Sequence, residues 1–473
     1  MIPYTKEAYQ LLHDGAIALG QVESNGIRVD TEYLDTTIRR LRRRIDHLRE
    51  KIQSSEVMKK WKAYYKGRSN LNSNEQLGYV LFELMGYHCP NMTETGRFKT
   101  DEETLSAVDN PFVGQYLKIQ KLQKSMGTYL MGIKREVVDG FIHPFFNLHL
   151  VRTFRSSADS PNFQNIPIRD PEISRLIRQA FIPRPGHRLV ELDYSGIEVA
   201  VAACYHKDPT MLSYLKDPTK DMHRDAAMSC YKLPIEEMTP GDDTAEQHRV
   251  KDIRYCGKNQ FVFPEFYGDW YLDCARSLWE SVRTMNLRTK DGRSLYEHLR
   301  RNGVKELGTL DPREKPRPGT MEYHIQQVEK HFWGERFPTY AKWKKEWVNL
   351  YQKRGWMKTL TGFICQGPLK RNEIVNYPVQ GSAFHCLLRS IIHLQRRLKK
   401  ERMRTLIVGQ IHDSAVNDVP EEELEDFLGI AQEVMVEGLK RAWDWIITPI
   451  EIEAEVTPVD GNWFQKEEWR MVG

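Results

Sequence analysis

The residues most able to do chemistry are acids that follow apolar runs. In LVELDYSGIEVAVAAC, the apolar residues Leu189 and Leu192 precede Asp193, and Gly196 follows it closely. A buried strand that ends in a carboxylate beside glycine is a typical place to hold a cation or to take a proton. An aspartate at this place could equally cap the helix that follows. The local sequence leaves both interpretations open.

A second acid, Asp413, lies within LIVGQIHDSAVNDV. Residues 406–411 are apolar and rich in β-branched side chains and residues 415–419 alternate, which predicts a β-hairpin with Asp413 at or near its tip. Alone this means little, because aspartate is common in turns. Phosphoryl transfer from a nucleoside triphosphate, however, needs divalent cations held by oxygen ligands. Asp193 and Asp413 could supply such ligands together if one sheet brings them side by side.

A basic and aromatic segment, RYCGKNQFVFPEFYG, offers groups for a triphosphate and a base. Arg254 and Lys258 are four residues apart, so on a helix they share a face and present two cations to one anion. A base could stack on one of the segment's aromatic side chains, which include Phe261, Phe263, Phe266 and Tyr267. The alternative is an amphipathic helix with an aromatic core side and a solvated basic side.

Two further polar segments could contact a ligand. The loop RTFRSSADSPNFQNIPIRD has no helical period, and its residues Arg155, Gln164 and Asn165 carry groups that bond phosphates and base edges. Loops of this composition are also often plain surface. His223, in KDMHRDAA, could contact a ligand or serve a structural role. A ligand-binding role for these residues is favoured only when they are considered together with the two acids and the basic segment.

Composition describes a protein of ordinary globular character. The chain has 473 residues, of which 40% are hydrophobic and 28% charged, and it is long enough for more than one domain. Its net charge of +4 suits a nucleic-acid binder without implying one. We find no apolar run long enough to span a bilayer and no signal-peptide pattern. Seven scattered cysteines without CxxC spacing argue for reduced thiols in the cytoplasm and against a zinc site.

The elements that would position these residues begin with helices. Residues 1–25 predict one helix, and Asp30 can cap a longer one. The longer helix has an apolar seam with alternating spacings of four and three: Leu34, Ile38, Leu41, Ile45, Leu48 and Ile52. This seam predicts packing against a helix at 112–130, as a hairpin with basic, polar tips. The hairpin could grip a phosphate backbone or be purely structural.

In the last third of the chain the pattern predicts one helix and a final strand. NYPVQG, at 376–381, leads into a predicted helix that ends near Lys400. Residues 450–456 alternate apolar residues with acids, which predicts the last strand. Trp463 is expected to close the core.

The order of these motifs resembles the polymerase region of family A DNA polymerases, the group of bacterial DNA polymerase I and many phage replicases. DYSGIE is similar to the family's first metal motif, RYCGKNQFVFPEFYG to its nucleotide-binding helix and IHDS to its second metal motif. RTFRSSADSPNFQNIP and NYPVQGSA resemble two segments that line the primer–template duplex, and the N-terminal helical hairpin resembles the thumb. The resemblance covers nearly the whole chain and indicates a phage-like variant.

The resemblance implies a role for each matching residue. Asp193 and Asp413, with the backbone carbonyl of Tyr194, would ligate two Mg²⁺ ions, which Mn²⁺ could replace. The incoming deoxynucleotide would meet Arg254, Lys258 and His223 at its triphosphate, and Glu198, Phe263 and Tyr267 at its sugar and base. Primer–template DNA would contact Arg155, Gln164, Asn376, Gln380 and His412. Glu198 and Tyr267 together would exclude a 2′-hydroxyl.

One departure from the family pattern concerns the second metal motif. Ser414 stands where the family usually has Glu after the His-Asp pair, which bears on metal affinity. His-Asp-Ser is also what single-subunit phage RNA polymerases carry, so an enzyme that uses ribonucleotides stays an alternative. A catalytically inactive relative that binds primer–template is a second alternative. Glu198 argues for the DNA-polymerising branch.

A second departure lengthens the nucleotide helix. Lys258 to Tyr267 spans nine positions instead of the family's eight. Pro264 would also clash with the preceding turn of a regular helix. We therefore predict a bulge or kink between Asn259 and Glu265. Phe261 and Phe263 both stay candidates for stacking on the nucleotide, and counting back from Tyr267 favours Phe263.

The resemblance implies an α+β fold shaped like a right hand, with an antiparallel-sheet palm, helical fingers and a helical thumb. The predicted divisions are a lead-in helix at 1–20, the thumb at 21–145, the palm at 146–225 and 366–473, and the fingers at 226–365. The expected activity is template-directed addition of deoxynucleotides to a primer 3′-hydroxyl by a monomeric cytoplasmic enzyme. Only about 20 residues precede the thumb, so no 3′–5′ exonuclease domain is expected. The sequence identifies no processivity or replisome partner.

Overall fold

The structure is a computed structural model that describes residues 2–90, 92–93, 95–168 and 170–470. Its strands are β1 Ile2–Pro3, β2 Ile27–Arg28, β3 Phe141–Ile142, β4 Phe145–Asn147, β5 Ser157–Asp159, β6 His187–Tyr194, β7 Trp356–Lys358, β8 Phe363–Gln366, β9 Leu406–Ile411, β10 Ser414–Pro420, β11 Ile452–Val456 and β12 Glu467–Trp469. The three central strands of the largest sheet, β11, β6 and β10, carry or border the acids that the sequence singles out.

Helices make up most of the described chain. They are α1 Lys6–Asn25, α2 Thr31–Gln53, α3 Glu56–Tyr65, α4 Asn74–Gly78, α5 Glu102–Ser106, α6 Pro111–Lys124, α7 Met131–Glu136, α8 Pro171–Arg178, α9 Ile197–His206, α10 Pro209–Lys216, α11 Met222–Tyr231, α12 Thr244–Gly257, α13 Phe263–Tyr267, α14 Tyr271–Thr284, α15 Leu295–Arg301, α16 Met321–His331, α17 Pro338–Arg354, α18 Arg371–Glu401, α19 Leu424–Gln432 and α20 Gly438–Ala442. Among the described residues, none of these helices has the length and apolar character needed to cross a bilayer.

The largest sheet in the described residues is antiparallel, with strand order β12-β11-β6-β10-β9. Side chains alternate between the two faces of a strand. Val190, Leu192 and Tyr194 therefore enter the core behind the sheet, while Glu191 and Asp193 lie on the opposite face. This alternation aims the first acid away from the core behind the sheet, on a face whose other end is covered by a second core.

The predicted hairpin and the predicted last strand are both confirmed. β9 and β10 pair in antiparallel register and leave His412 and Asp413 as the two residues between them. β11 begins two residues after the predicted start of the last strand and pairs with β6. Trp463 is fully buried and stacks on Phe163 at 5.4 Å, so it does close a core, the one on the face of the sheet that carries Leu189.

The core behind the sheet is covered by α18, which begins earlier than the sequence predicts. The prediction that NYPVQG leads into this helix was wrong, because the motif lies inside it. Pro378 has no N–H, so the Ile374 carbonyl loses its usual helical partner. The indole N–H of Trp347 donates to that carbonyl at 3.0 Å and replaces the missing bond. Burial of the long helix outweighs a proline cost of about 3 kcal/mol.

The long helix α2 pairs with α6, as predicted. Asp30 caps α2 by accepting a hydrogen bond from the Tyr33 N–H at 2.8 Å. The seam of α2 is buried except at Leu48, which is half-buried, and it packs against α6. α1 instead packs on α18, with Leu19 and Val22 in the core behind the sheet. The first helix therefore belongs to the sheet layer and the second to the helical hairpin.

The middle of the chain forms a further core of its own. Helices α11, α12, α14 and α16 pack around buried aromatic and aliphatic side chains such as Tyr231, Ile253 and Phe261. This α+β arrangement of one antiparallel sheet with helical layers agrees with the predicted fold class. The predicted boundaries at 20, 145, 225 and 365 fall inside α1, β4, α11 and β8. The division into thumb, palm and fingers therefore stays a proposal.

Candidate active site

Asp193 and Asp413 lie side by side at the ends of adjacent strands. Asp193 pairs in register with Ser414, the residue after Asp413. The Tyr194 N–H donates to the Asp413 carbonyl at 3.4 Å, which places the backbone of Tyr194 next to both acids. Oδ1 of Asp413 is buried without a hydrogen bond, and the Arg155 guanidinium lies 3.7 Å from it. The sheet therefore brings together the two acids identified from the sequence.

The surroundings of both acids disfavour the charged form. Burial, and next the neighbouring Asp413, raise the pKa of Asp193 to about 7, although part of the Asp193 side chain is exposed. Burial also raises the pKa of Asp413 to about 6, against the opposing effect of Arg155. Such raised pKa values are typical of buried carboxylates that lie close to one another without enough positive charge nearby. A divalent cation between the two would relieve that repulsion.

We expect Asp193→Asn to stabilise the protein in cation-free buffer. A raised pKa means that the folded state releases its proton at higher pH than the unfolded chain, so ionisation costs stability as pH rises from about 4 to about 7. The melting temperature of Asp193→Asn should exceed that of wild type by about 2 °C at pH 8, and by less at pH 5. Thermal unfolding at both pH values measures this. A difference that is independent of pH would contradict it.

The tip of the acidic hairpin is held by side-chain amides. Gln410 donates to the His412 carbonyl at 2.7 Å, and its Oε1 accepts from Gln164 at 2.7 Å and from Ser156 at 2.5 Å. His412 is exposed and has a left-handed φ of 48°, which the two-residue turn requires. Gln164, predicted to contact DNA, thus directs its amide N–H groups into the protein. Its DNA contact stays a prediction.

Glu198 joins the loop of Arg155 to the nucleotide helix. Its carboxylate accepts hydrogen bonds from the Arg155 guanidinium and from the Tyr267 hydroxyl. Burial, and next Glu198, raise the pKa of Tyr267, which keeps its hydroxyl protonated as a donor. The three side chains form a continuous wall beside Asp413. This geometry suits the predicted joint action of Glu198 and Tyr267 on the nucleotide sugar.

The nucleotide helix contains the irregularity that the sequence predicts. A π-helical turn at Lys258–Val262 separates α12 from α13. The Phe263 N–H donates to the Lys258 carbonyl, five residues back, so the wider turn absorbs the extra residue. Pro264 lies directly after this wider turn, in the first turn of α13. The predicted bulge is confirmed.

Arg254, Lys258 and His223 crowd together where α11 meets α12. Arg254 donates to Asp221 at 2.5 Å, and Asp221 caps α11. Burial, and next Arg254, lower the pKa of Lys258. Burial, and next the same cations, lower the pKa of His223 to about 4. Positive groups held this close together favour a bound polyanion such as a triphosphate.

Phe263 lies beside these cations, whereas Phe261 does not. Nζ of Lys258 is 5.1 Å from the Phe263 ring centroid. The Phe263 ring meets His223 edge-on at 5.7 Å and Tyr267 edge-on at 6.2 Å. Phe261 is fully buried against Phe332 in the core of the middle helices. Of the two candidates, Phe263 is therefore the one placed to stack on a nucleotide.

Asn376 and Gln380 lie on one face of α18, four residues apart. The Asn376 amide donates to the Tyr267 carbonyl at 3.0 Å and ties α18 to the end of α13. Gln380 is half-buried one turn further along. The structure thus places Asn376 against the end of α13 and Gln380 one turn further along α18. Their predicted contacts with base edges stay predictions.

Ser414 belongs to a buried ionic network that lies next to Asp193 on the same face of the sheet. Its hydroxyl lies 3.2 Å from Oε1 of Glu191 and donates to the Ile411 carbonyl at 3.0 Å. Glu191 also accepts from Nζ of Lys466 at 2.6 Å and from the indole of Trp463 at 2.9 Å. Ser414 is only 4% exposed. A carboxylate at this position would therefore have to be buried against Glu191.

We expect Ser414→Glu, which restores the family's acid, to destabilise the protein by about 3 kcal/mol. The new charge would be buried beside Glu191, and Lys466 already neutralises that residue. Ser414→Ala serves as the matched control and should cost only about 1 kcal/mol for the lost hydroxyl bonds. Urea unfolding of both variants measures the difference. A Ser414→Glu variant as stable as wild type would contradict this account.

Sequence analysis missed several residues that shape the site. Gln410 orients the hairpin tip, Glu191 anchors Ser414, and Glu453 stands opposite Asp193 on β11. The alternation of acids in residues 450–456 was visible, but it does not show which strand faces them. Only the register between β6 and β11 places Glu453 beside Asp193.

The chemistry of the donor set suits magnesium. Asp193 and Asp413 offer hard carboxylate oxygens. Oδ1 of Asp413 makes no hydrogen bond and can therefore coordinate a metal ion. Among the described residues, no three His, Cys, Asp or Glu side chains converge to hold an ion on their own. Mg²⁺ is typically bound in this way, by one or two carboxylates together with substrate phosphates and water. The site therefore fits an ion that arrives with a nucleotide.

The chain belongs to DNA polymerase family A, whose family model matches residues 32–256 and 326–462. Among curated relatives, it is 26% identical to DNA polymerase I of Chloroflexus aurantiacus over 94% of this chain and 42% of that protein. It is 28% identical to DNA polymerase I of Bacillus subtilis over 90% of this chain and 43% of that protein. It is 24% identical to the DNA polymerase of Bacillus phage SP01 over 87% and 45%. The chain thus spans about two fifths of the length of these relatives.

The fold is that of a polymerase right hand. The structure is similar to the POL domain of Pol1 from M. smegmatis, which was solved as a complex with DNA primer-template and dNTP. The TM-score is 0.70 at 24% sequence identity, over 96% of this chain and 70% of that one. The palm sheet with helical fingers and thumb, predicted from the motifs, is confirmed at the level of the fold.

Proposed function

We propose that this chain is a template-directed DNA polymerase that adds deoxynucleotides to a primer 3′-hydroxyl and releases pyrophosphate. The observation that supports this proposal most strongly is that Asp193 and Asp413 meet at the ends of adjacent strands in a chain that belongs to DNA polymerase family A. We assign the thumb to residues 21–145, the fingers to 226–365 and the palm to the remainder after residue 145.

Each side chain then has a task in nucleotide addition. When bound, two Mg²⁺ ions, which Mn²⁺ can replace, lower the pKa of the primer hydroxyl and stabilise the leaving pyrophosphate. Asp193 and Asp413 hold the ions, with the backbone carbonyl of Tyr194. Arg254, Lys258 and His223 bind the triphosphate. Nucleotide positioning is thus divided between the acidic strand ends and the basic helix.

The remaining residues select and align the substrates. Phe263 stacks on the incoming base, while Glu198 and Tyr267 form the wall against its sugar. DNA contacts are assigned to Arg155, Gln164, Asn376, Gln380 and His412. The minor groove offers acceptors common to all base pairs, so such contacts test pair geometry without reading sequence. We assign the enzyme to the cytoplasm as a monomer, and to the phage-like branch of the family.

Ser414 favours a second candidate, an enzyme that polymerises ribonucleotides, because His-Asp-Ser also occurs in single-subunit RNA polymerases. Extension of a labelled primer on a template, with Mg²⁺ and either dNTPs or rNTPs, separates the candidates. We expect extension with dNTPs and little with rNTPs. Comparable rates with both would favour the second candidate. Binding of the duplex without extension would show a catalytically inactive relative.

A further inference from the structure

The sheet face that carries Asp193 holds two rows of acids, and the protein neutralises only one of them. The register of β6 and β11 places Glu455 opposite Glu191 and Glu453 opposite Asp193. Residues directly opposite in antiparallel strands share a face, and like charges there repel. Lys466 bridges the first row, bonding both Glu191 and Glu455. In the part of the chain that the structure describes, no lysine or arginine pairs with Asp193 or Glu453.

Glu453 is held at the level of Asp193. The Ser195 hydroxyl donates to Oε1 of Glu453 at 2.6 Å. Ser195 follows Asp193 by two residues, and its N–H donates to the Glu451 carbonyl at 3.0 Å, which fixes the backbone here. Glu453 also acts electrostatically on Lys258, so its carboxylate is close enough to the proposed triphosphate-binding cations to influence them. This location is where an incoming cation and nucleotide would meet.

We propose that Glu453 is a positioning residue that orients the divalent cation at Asp193 through the water bound to that cation. This inference rests on the proposed function. A direct bond is not inferred, because no three potential ligands converge among the described residues. Mg²⁺ keeps several of its waters when bound by proteins. An acid that accepts hydrogen bonds from such waters tightens and orients the ion.

The same geometry explains how the site works without the family's third acid on β10. Ser414 lies opposite Asp193, but its hydroxyl is directed to Glu191 in the neutralised row, and serine contributes no charge to the cation site. Glu453 supplies a negative charge from the other side of Asp193, one strand away. The third acid has in effect moved from β10 to Glu453 on β11, and among the described residues the bridging lysine, Lys466, pairs with Glu191 and Glu455 and not with Glu453.

Mn²⁺ binding, followed by electron paramagnetic resonance titration, tests this inference without turnover. The sample contains primer–template with a 2′,3′-dideoxy primer end and the matching dNTP, so no extension can occur. We expect Glu453→Gln to weaken Mn²⁺ binding about tenfold, and Glu453→Asp to retain most of the affinity. Ser195→Ala, which removes only the hydroxyl that holds Glu453, should show a smaller loss. Glu468→Gln, an exposed acid on β12, is the matched control and should bind as wild type does.

The outcomes separate this inference from the proposed function. Wild-type Mn²⁺ affinity in both Glu453→Gln and Ser195→Ala, with binding lost in Asp193→Asn, would overturn the role of Glu453 alone. Unchanged affinity in Asp193→Asn would overturn the cation site itself, and the inference with it. A melting temperature of Glu453→Gln that is no lower than that of wild type in cation-free buffer would confirm that a loss of affinity reflects the site and not unfolding.

Discussion

Replacing Asp413 by alanine is expected to lower the rate of primer extension by about a thousandfold or more. Its carboxylate, with that of Asp193, forms the only pair of acids assigned to the cations in the proposed reaction. Charge stabilisation by a bound metal ion contributes several kcal/mol to a transition state, and each 1.36 kcal/mol is a factor of ten in rate. Single-turnover extension of a labelled primer with saturating dNTP and Mg²⁺ measures the effect.

The matched control is Asp426→Ala, which removes an exposed aspartate on α19 that belongs to none of the motifs. It should extend the primer as wild type does. Asp413→Ala should still bind primer–template, because the DNA contacts assigned to Arg155, Asn376 and Gln380 remain. Extension by Asp413→Ala within tenfold of wild type would remove Asp413 from the cation site.

Replacing Glu198 by alanine is expected to raise the ratio of ribonucleotide to deoxynucleotide incorporation by on the order of 100-fold. Glu198 stands in the wall that links Arg155 to the hydroxyl of Tyr267. Its removal opens room for a 2′-hydroxyl, and a pocket that loses one steric element typically changes discrimination by ~10- to 200-fold. The ratio of kcat/KM values for one rNTP and its matching dNTP measures the change.

Tyr267→Phe is the control for this experiment, because it keeps the ring and removes only the hydrogen bond to Glu198. A smaller rise in the same ratio is expected. If Glu198→Ala leaves the ratio unchanged, the sugar gate lies elsewhere, and a large change on truncation of the Tyr267 ring would then assign it to that ring. Deoxynucleotide incorporation should also slow in Glu198→Ala, since Arg155 loses its partner.

Local patterns in the sequence predicted the elements that depend on neighbours along the chain. The spacing of the apolar seam predicted α2 and its packing on α6. The alternation around His412 predicted the hairpin, and the clash of Pro264 with a regular helix predicted the π-helical turn. In each case the deciding contact lies within a few residues or within a repeated period, so it is visible in the sequence.

Features set by distant contacts could not be predicted. NYPVQG was expected to lead into a helix, but Trp347 bonds the carbonyl that Pro378 leaves without a helical partner, and α18 continues through the motif. The position of Glu453 beside Asp193 follows only from the pairing of β11 with β6, two strands that are far apart in sequence. Ser414 looked like a simple loss of an acid, whereas its hydroxyl joins the Glu191 network. Such partners depend on how the layers pack.

The central claim is that Asp193 and Asp413 jointly hold divalent cations with the incoming nucleotide. The most direct test is an anomalous difference map from a crystal of the protein with primer–template, matching dNTP and Mn²⁺, the primer ending in a dideoxynucleotide. The account predicts Mn²⁺ peaks within bonding distance of both carboxylates, with Glu453 turned towards the water bound to an ion. Ordered dNTP without a Mn²⁺ peak at Asp193 and Asp413 would contradict it.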